Sequence, residues 1–160
     1  MIFGLSVHAF TQLHVAISLV GIATGLLFVI GLLGGRWWGL PNLLFLVFTI
    51  LTSVTGFFFP VATLTPAFVV GVISLVILAV ALLALFVFHR AGWWRPIYTI
   101  TALLGLWLNV FVLIVQSFLK IPALHALAPS GNEPPFGAVQ GITLILFVVA
   151  GWRLLRKPVT

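Results

Sequence analysis

Three histidines, one acid, one lysine and two amides are the residues of this chain most able to do chemistry. His8, His14 and His125 lie toward one side of the sequence's apolar runs, as do Asn109, Gln116, Lys120 and Glu133. Two histidines from different segments can ligate one b-type haem, and an axial histidine is a common haem ligand. His14 and His125 are the pair that fits. Three histidines with Glu133 follow no known zinc spacing. The fourth histidine, His89, adjoins Arg90 at the opposite side, so a wire of two haems across a membrane lacks its second ligand pair. Glu133 is the single acidic residue, set before Pro134, Pro135 and Phe136. Its simplest partner is Lys120, and its functional reading is a proton acceptor beside His125. There is no cysteine, hence no disulfide or redox thiol. No stretch matches a catalytic signature.

The elements that position these residues follow from hydropathy. The chain is 63% hydrophobic and 5% charged, where a soluble domain carries roughly a quarter charged residues. A net charge of +6 suggests nucleic acid only if the basic residues cluster on one surface. Here they are few and scattered between apolar runs, and nucleic acid is excluded as a partner. About 20 apolar residues of helix cross a bilayer core. Five runs approach that length, about Phe10–Leu33, Leu43–Pro60, Ala67–Phe88, Pro96–Leu119 and Gly137–Leu155. Backbone groups in lipid must be satisfied within a segment, so these runs are helices. Gly34, Gly35, Gly39 and Pro41 separate the first two; Pro60 and Pro66 bracket a short turn; Gly92 and Pro96 mark the third joint. Residues 120–136 form the longest joint, whose apolar half, Ile121–Ala128, reads as a short surface helix. The N-terminus lacks the basic start and cleavage site of a signal peptide, so the first run reads as a retained span.

Six of the seven basic residues fall in alternate joints: Arg36, Arg90, Arg95, Arg153, Arg156 and Lys157 on one side, Lys120 on the other. Positive residues accumulate in the cytoplasm. The expectation is one all-α domain over residues 1–160, a polytopic transmembrane helix bundle of five spans with the N-terminus outside and the C-terminus inside. Trp37, Trp38, Trp93, Trp94, Tyr98 and Trp152 stand beside the arginines, where an interfacial aromatic belt belongs.

Polar side chains gather in the outer halves of the spans. Asn109, Gln116 and Lys120 share one helical face, His14, Ser18, Gly21 and Gly25 another, and Thr49, Thr52, Ser53 and Gly56 a third. The third span is almost wholly aliphatic from Leu75 to Phe88. Polar groups turn away from lipid, so these stripes imply a polar outer vestibule with His14, Asn109, Gln116, Lys120, His125 and Glu133 as its ligand-binding residues. The plainer alternative is interhelical hydrogen bonding, and Gly21–Gly25 is a GxxxG pattern whose usual meaning is close packing.

The strings Leu51-Thr-Ser-Val-Thr-Gly-Phe-Phe-Phe-Pro60, Leu108-Asn-Val-Phe-Val-Leu-Ile-Val-Gln-Ser-Phe-Leu-Lys120, Pro122-Ala-Leu-His-Ala-Leu-Ala-Pro129 and Glu133-Pro-Pro-Phe136 resemble a group of small bacterial multi-pass proteins catalogued only as hypothetical membrane proteins. The resemblance covers most of the chain, implies a bacterial inner membrane and brings no activity. Two functions remain in competition. One is a non-enzymatic membrane protein, either a small subunit of a membrane complex or homo-oligomer, or a binder of a lipid-soluble ligand. The other is a redox protein holding one b-type haem or a quinone near the outer surface. A channel or transporter is weaker, because the inner halves of the spans offer no polar path.

Overall fold

A computed structural model describes residues 1–60 and 65–156. The described residues are all-helical, with only an isolated bridge between Ile2 and Leu5. Helix α1 covers Val7–Leu33, α2 Gly39–Gly56, α3 Pro66–Leu82, α4 Trp94–Lys120, α5 Pro122–His125 and α6 Pro134–Arg156. A single π-helical turn, Leu83–Val87, prolongs α3. Five helices, α3 taken with its π turn, are long and apolar enough to cross a membrane, with 27, 18, 22, 27 and 23 residues. The turn expected between Pro60 and Pro66 falls largely on residues 61–64, and Lys157 follows Arg156; both lie outside the described residues.

The boundaries differ from expectation in one consistent way. Pro41, Pro96, Pro134 and Pro135 were assigned to joints or to helix edges, yet each sits in the first turn of its helix. A first-turn N–H has no intrahelical acceptor, so proline loses nothing there. Span two therefore runs Gly39–Gly56 rather than Leu43–Pro60. It stops at Gly56 because the next three phenylalanines pack sideways. Phe57 meets Phe68, Phe58 meets Phe3, and Phe59 meets Phe10 and His14. Ser6 and Thr65 cap α1 and α3 by accepting from Ala9 N and Phe68 N. The expected surface helix over Ile121–Ala128 is only the four-residue α5.

Neighbouring spans alternate in direction. Helices α2 and α4 run parallel, since Asn42 meets Tyr98 and Thr49 meets Asn109. The core joins Phe28 and Leu32 of α1, Phe45 and Leu46 of α2, Leu78 of α3 and Leu106 of α4. Small residues set its tightness. A Cβ on Gly21 would lie 3.4 Å from the α2 backbone at Phe48 and Thr49, and one on Gly25 would meet Leu106 at 2.6 Å and Phe45 at 2.7 Å. The GxxxG pattern thus serves close packing between α1 and its neighbours. Helix α6 stands at the margin: Leu154 is its one buried residue, and it packs on α4 and only lightly on α1.

Candidate functional site

Helix α2 carries a ladder of polar side chains, and three interhelical hydrogen bonds between side chains climb it. Near its start, the buried Tyr98 hydroxyl donates to Asn42 Oδ1. Seven residues on, Asn109 Nδ2 donates to Thr49 Oγ1 (3.0 Å), again buried. Six residues further, about 9 Å at the helical rise, His14 Nδ1 meets Thr55 Oγ1 at 2.7 Å. Asn42, Thr49 and Ser53 are buried, so α2 turns its polar face into the bundle, as polar groups in hydrocarbon must.

The His14 pair fixes a tautomer. A threonine hydroxyl has one proton. Thr55 spends it on its own helix, donating to Leu51 O at 2.7 Å. Its oxygen therefore accepts from His14 Nδ1–H, and Nε2 of the neutral ring keeps its lone pair. Among the described residues Nε2 makes no hydrogen bond. Around the ring, Phe59 stands edge-on at 5.2 Å between centroids, and Phe10, Phe3 and Phe58 continue the aromatic wall. The imidazole lies against α2 at Gly56, where a Cβ would sit in ordinary contact, 3.8 Å from His14 Cε1. Lys120, exposed at the end of α4, is within electrostatic reach of His14. One end of the bundle thus presents an oriented, half-buried imidazole under phenylalanines, within the electrostatic reach of Lys120.

The other expected site residues spread around this point. No hydrogen bond joins any of the six to another. Asn109 is deeper and satisfied by Thr49. Gln116 is half-buried and makes no side-chain hydrogen bond among the described residues, and His125 is exposed on α5. Glu133 turns into its own loop rather than to Lys120 or His125. Its carboxylate accepts from Ser130 N (3.0 Å), Ser130 Oγ (2.8 Å) and Asn132 N (3.0 Å). These bonds, the Ser130 backbone first, hold its carboxyl down at about 2. Among the described residues no three His, Asp or Glu side chains cluster as metal ligands. Beside α4, Gln140 Nε2 donates to Phe111 O (3.2 Å), leaving Gln140 Oε1 and Trp107 Nε1 buried without partners.

At the opposite, arginine-rich end lies a cluster that the sequence reading missed. The sequence places Tyr98 and Trp37 in an interfacial aromatic belt. Instead Trp37 packs on Phe28 (5.0 Å) and Tyr98 (5.8 Å), and the Arg90 guanidinium lies 3.5 Å over its ring. Arg90 reaches it from a turn in which His89, Arg90 and Gly92 all have positive φ (48°, 56° and 52°). Trp93 and Trp152 do face outward, as a belt requires. Asn42 was placed in the joint before span two. Started at Gly39, that helix shows Asn42 in line with Thr49 and Ser53 at spacings of seven and four. That spacing is the signal that finds the inner rung.

No protein family, curated protein or solved structure matches the chain.

Proposed function

We propose that this chain is a non-enzymatic integral membrane protein that holds a lipid-soluble, hydroxyl-bearing ligand at its arginine-poor end. The observation that carries this reading is His14. Its Nδ1–H is engaged by Thr55 while Nε2 stays open within an aromatic surround. An open imidazole nitrogen accepts a hydroxyl proton donor such as a quinol, phenylalanine rings cover an apolar ring system, and Lys120 favours developing negative charge. Gln116, His125 and Glu133 belong to the rim of the same vestibule, with Asn109 as its floor. The alternating placement of the arginines supports an orientation with this end outside and the arginine-rich end in the cytoplasm, in a bacterial inner membrane. The long, outward-facing apolar surface of α6 suits either bilayer lipid or a neighbouring subunit in a larger complex or homo-oligomer.

Equilibrium binding of a short-chain quinol to the purified protein in detergent tests the reading. His14→Ala should weaken binding about tenfold, the equivalent of one hydrogen bond to a buried group. Unchanged binding would remove His14 from the site. Reporter fusions following Arg156 test the orientation, and a periplasmically active fusion would reverse it.

A second reading rests on the same nitrogen. A histidine that donates Nδ1–H and offers Nε2 has the arrangement of an axial haem or metal ligand. His125 would then be the opposite ligand, brought over the site by α5. A Soret band lost in both His14→Ala and His125→Ala supports this reading; binding of the quinol without such a band supports the first.

A further inference from the structure

The chain's charges are unbalanced in space. Arg153 and Arg156 stand at one end of the bundle, in the last turn of α6. The single acidic side chain, Glu133, is at the other, fully engaged by Ser130 and Asn132. Glu133 is the one Asp or Glu of the sequence. Arg153 and Arg156 therefore have no acidic side chain of this protein to pair with.

One place at that end is shaped to receive it. Where α1 and α6 finish, a groove of about 470 Å³ opens between Leu32 and Leu33 on one side and Trp152, Arg153, Leu154 and Arg156 on the other. Arg153 and Arg156 are three residues apart, so their guanidinium groups rise from the same side of α6. Arg156 lies 4.1 Å over the Trp152 ring, which holds its fork in place at the rim. The floor is apolar. Toward the middle of the bundle, α1 and α6 touch only lightly. One turn from the groove both helices expose aliphatic side chains, Ile30 of α1 and Val148 and Val149 of α6. A pair of arginine forks above an apolar, membrane-depth seam matches one chemistry, a phosphodiester headgroup joined to acyl chains.

We propose that the groove between the ends of α1 and α6 is a binding site for an anionic phospholipid, with Arg153 and Arg156 gripping the phosphodiester and the α1–α6 seam taking an acyl chain. Charge complementarity selects this occupant. A second copy of this chain, whose one acidic side chain lies at the opposite end, would leave both guanidinium groups without counter-charge, and a free phosphate would leave the seam empty.

Native mass spectrometry of the intact protein, released from mixed micelles with equal phosphatidylglycerol and phosphatidylcholine, reads lipid retention directly. The unmodified chain should prefer phosphatidylglycerol by about 30-fold, the expected effect of two basic residues at an anionic headgroup. The double variant Arg153→Gln/Arg156→Gln should bring the preference close to parity, with its thermal midpoint in detergent unchanged. Arg36→Gln, at the same end but outside the groove, should keep the full preference. Arg153→Lys/Arg156→Lys should retain the larger part of it, since the charge remains. The proposal is overturned if the double glutamine variant still selects phosphatidylglycerol, or if Arg36→Gln loses selectivity equally and shows only diffuse surface charge. Inorganic phosphate at 10-fold excess over lipid should leave retention intact; displacement would assign the groove to a free anion.

Discussion

The two ends of the bundle each hold a polar pair anchored on α2, and they differ in what the pairing leaves over. At the arginine-rich end, the Tyr98 hydroxyl is given to Asn42, and Phe28 and Trp37 close over it under the Arg90 guanidinium. At the arginine-poor end, His14 gives one nitrogen to Thr55 and keeps the other. The first arrangement specifies packing. The second has unspent capacity beside Lys120, and capacity is what a ligand needs. Being polar inside a membrane does not separate structure from function; the balance of donors and acceptors at each rung does.

Glycine substitutions should break the comparison most strongly. A Cβ on Gly31, at the arginine-rich end, would meet Trp38 Cδ2 at 2.8 Å and the Arg36 carbonyl at 3.2 Å. Gly31→Ala should cost about 1–3 kcal/mol, measured by denaturant titration in detergent. Gly56→Ala, against His14 at 3.8 Å, should be neutral or gain up to about 1 kcal/mol from helix propensity. Equal losses at both sites would mean that the two ends are packed alike.

Next comes the inner rung. Asn42→Ala leaves the buried Tyr98 hydroxyl without an acceptor and should cost about 1–3 kcal/mol. Adding Tyr98→Phe should recover most of that loss. A double variant as unstable as the single one would show that the pair does more than satisfy itself.

His14→Ala should cost less, about 0.6 kcal/mol, the average for such bonds in membrane proteins, because Thr55 keeps its bond to Leu51. Under the proposed function its larger effect is on ligand binding. A stability loss as large as that of Asn42→Ala would make the two ends equivalent.

The smallest effect is a pH window. The Glu133 carboxyl is depressed from its ordinary 4.5 to about 2, so its contribution to loop order is complete above 4.5 and is lost as pH falls through 2. The Ser130 and Asn132 amide resonances should titrate near 2. A midpoint near 4.5 would show the loop carboxylate free to serve as a proton acceptor over the site.

Hydropathy and glycine–proline punctuation made all five spans legible, because membrane helices must be long, apolar and internally bonded. Their starts were less legible, since proline is a breaker inside a helix and an initiator in its first turn. Asn42 shows the consequence: four residues of misplaced boundary moved it from a buried helix face into a joint. The π turn at Leu83–Val87 left no trace, as its residues are ordinary aliphatics and a phenylalanine. Of the candidate site, His14 was legible from its cost in the membrane. Its partner choice was not, because Thr52, Ser53 and Thr55 lie on one stretch of α2 and only packing chooses among them. Glu133 was legible as singular, while its turn toward Ser130 depends on local loop geometry that composition does not encode.

The polar ladder on α2 also imposes an order of assembly. Helix α2 is the least apolar of the five, with a mean hydropathy of 1.6, and it is made early. Thr55 finds His14 on a helix already synthesised. Asn42 must wait for Tyr98, 56 residues later, which at cellular rates is on the order of 3–11 s. Throughout that interval α1 and α2 form a hairpin with its lower rungs unfilled. The nascent hairpin therefore has reason to linger at a wet or protein-lined insertion site until α4 arrives, and α4 closes the ladder by supplying Tyr98 and Asn109 together.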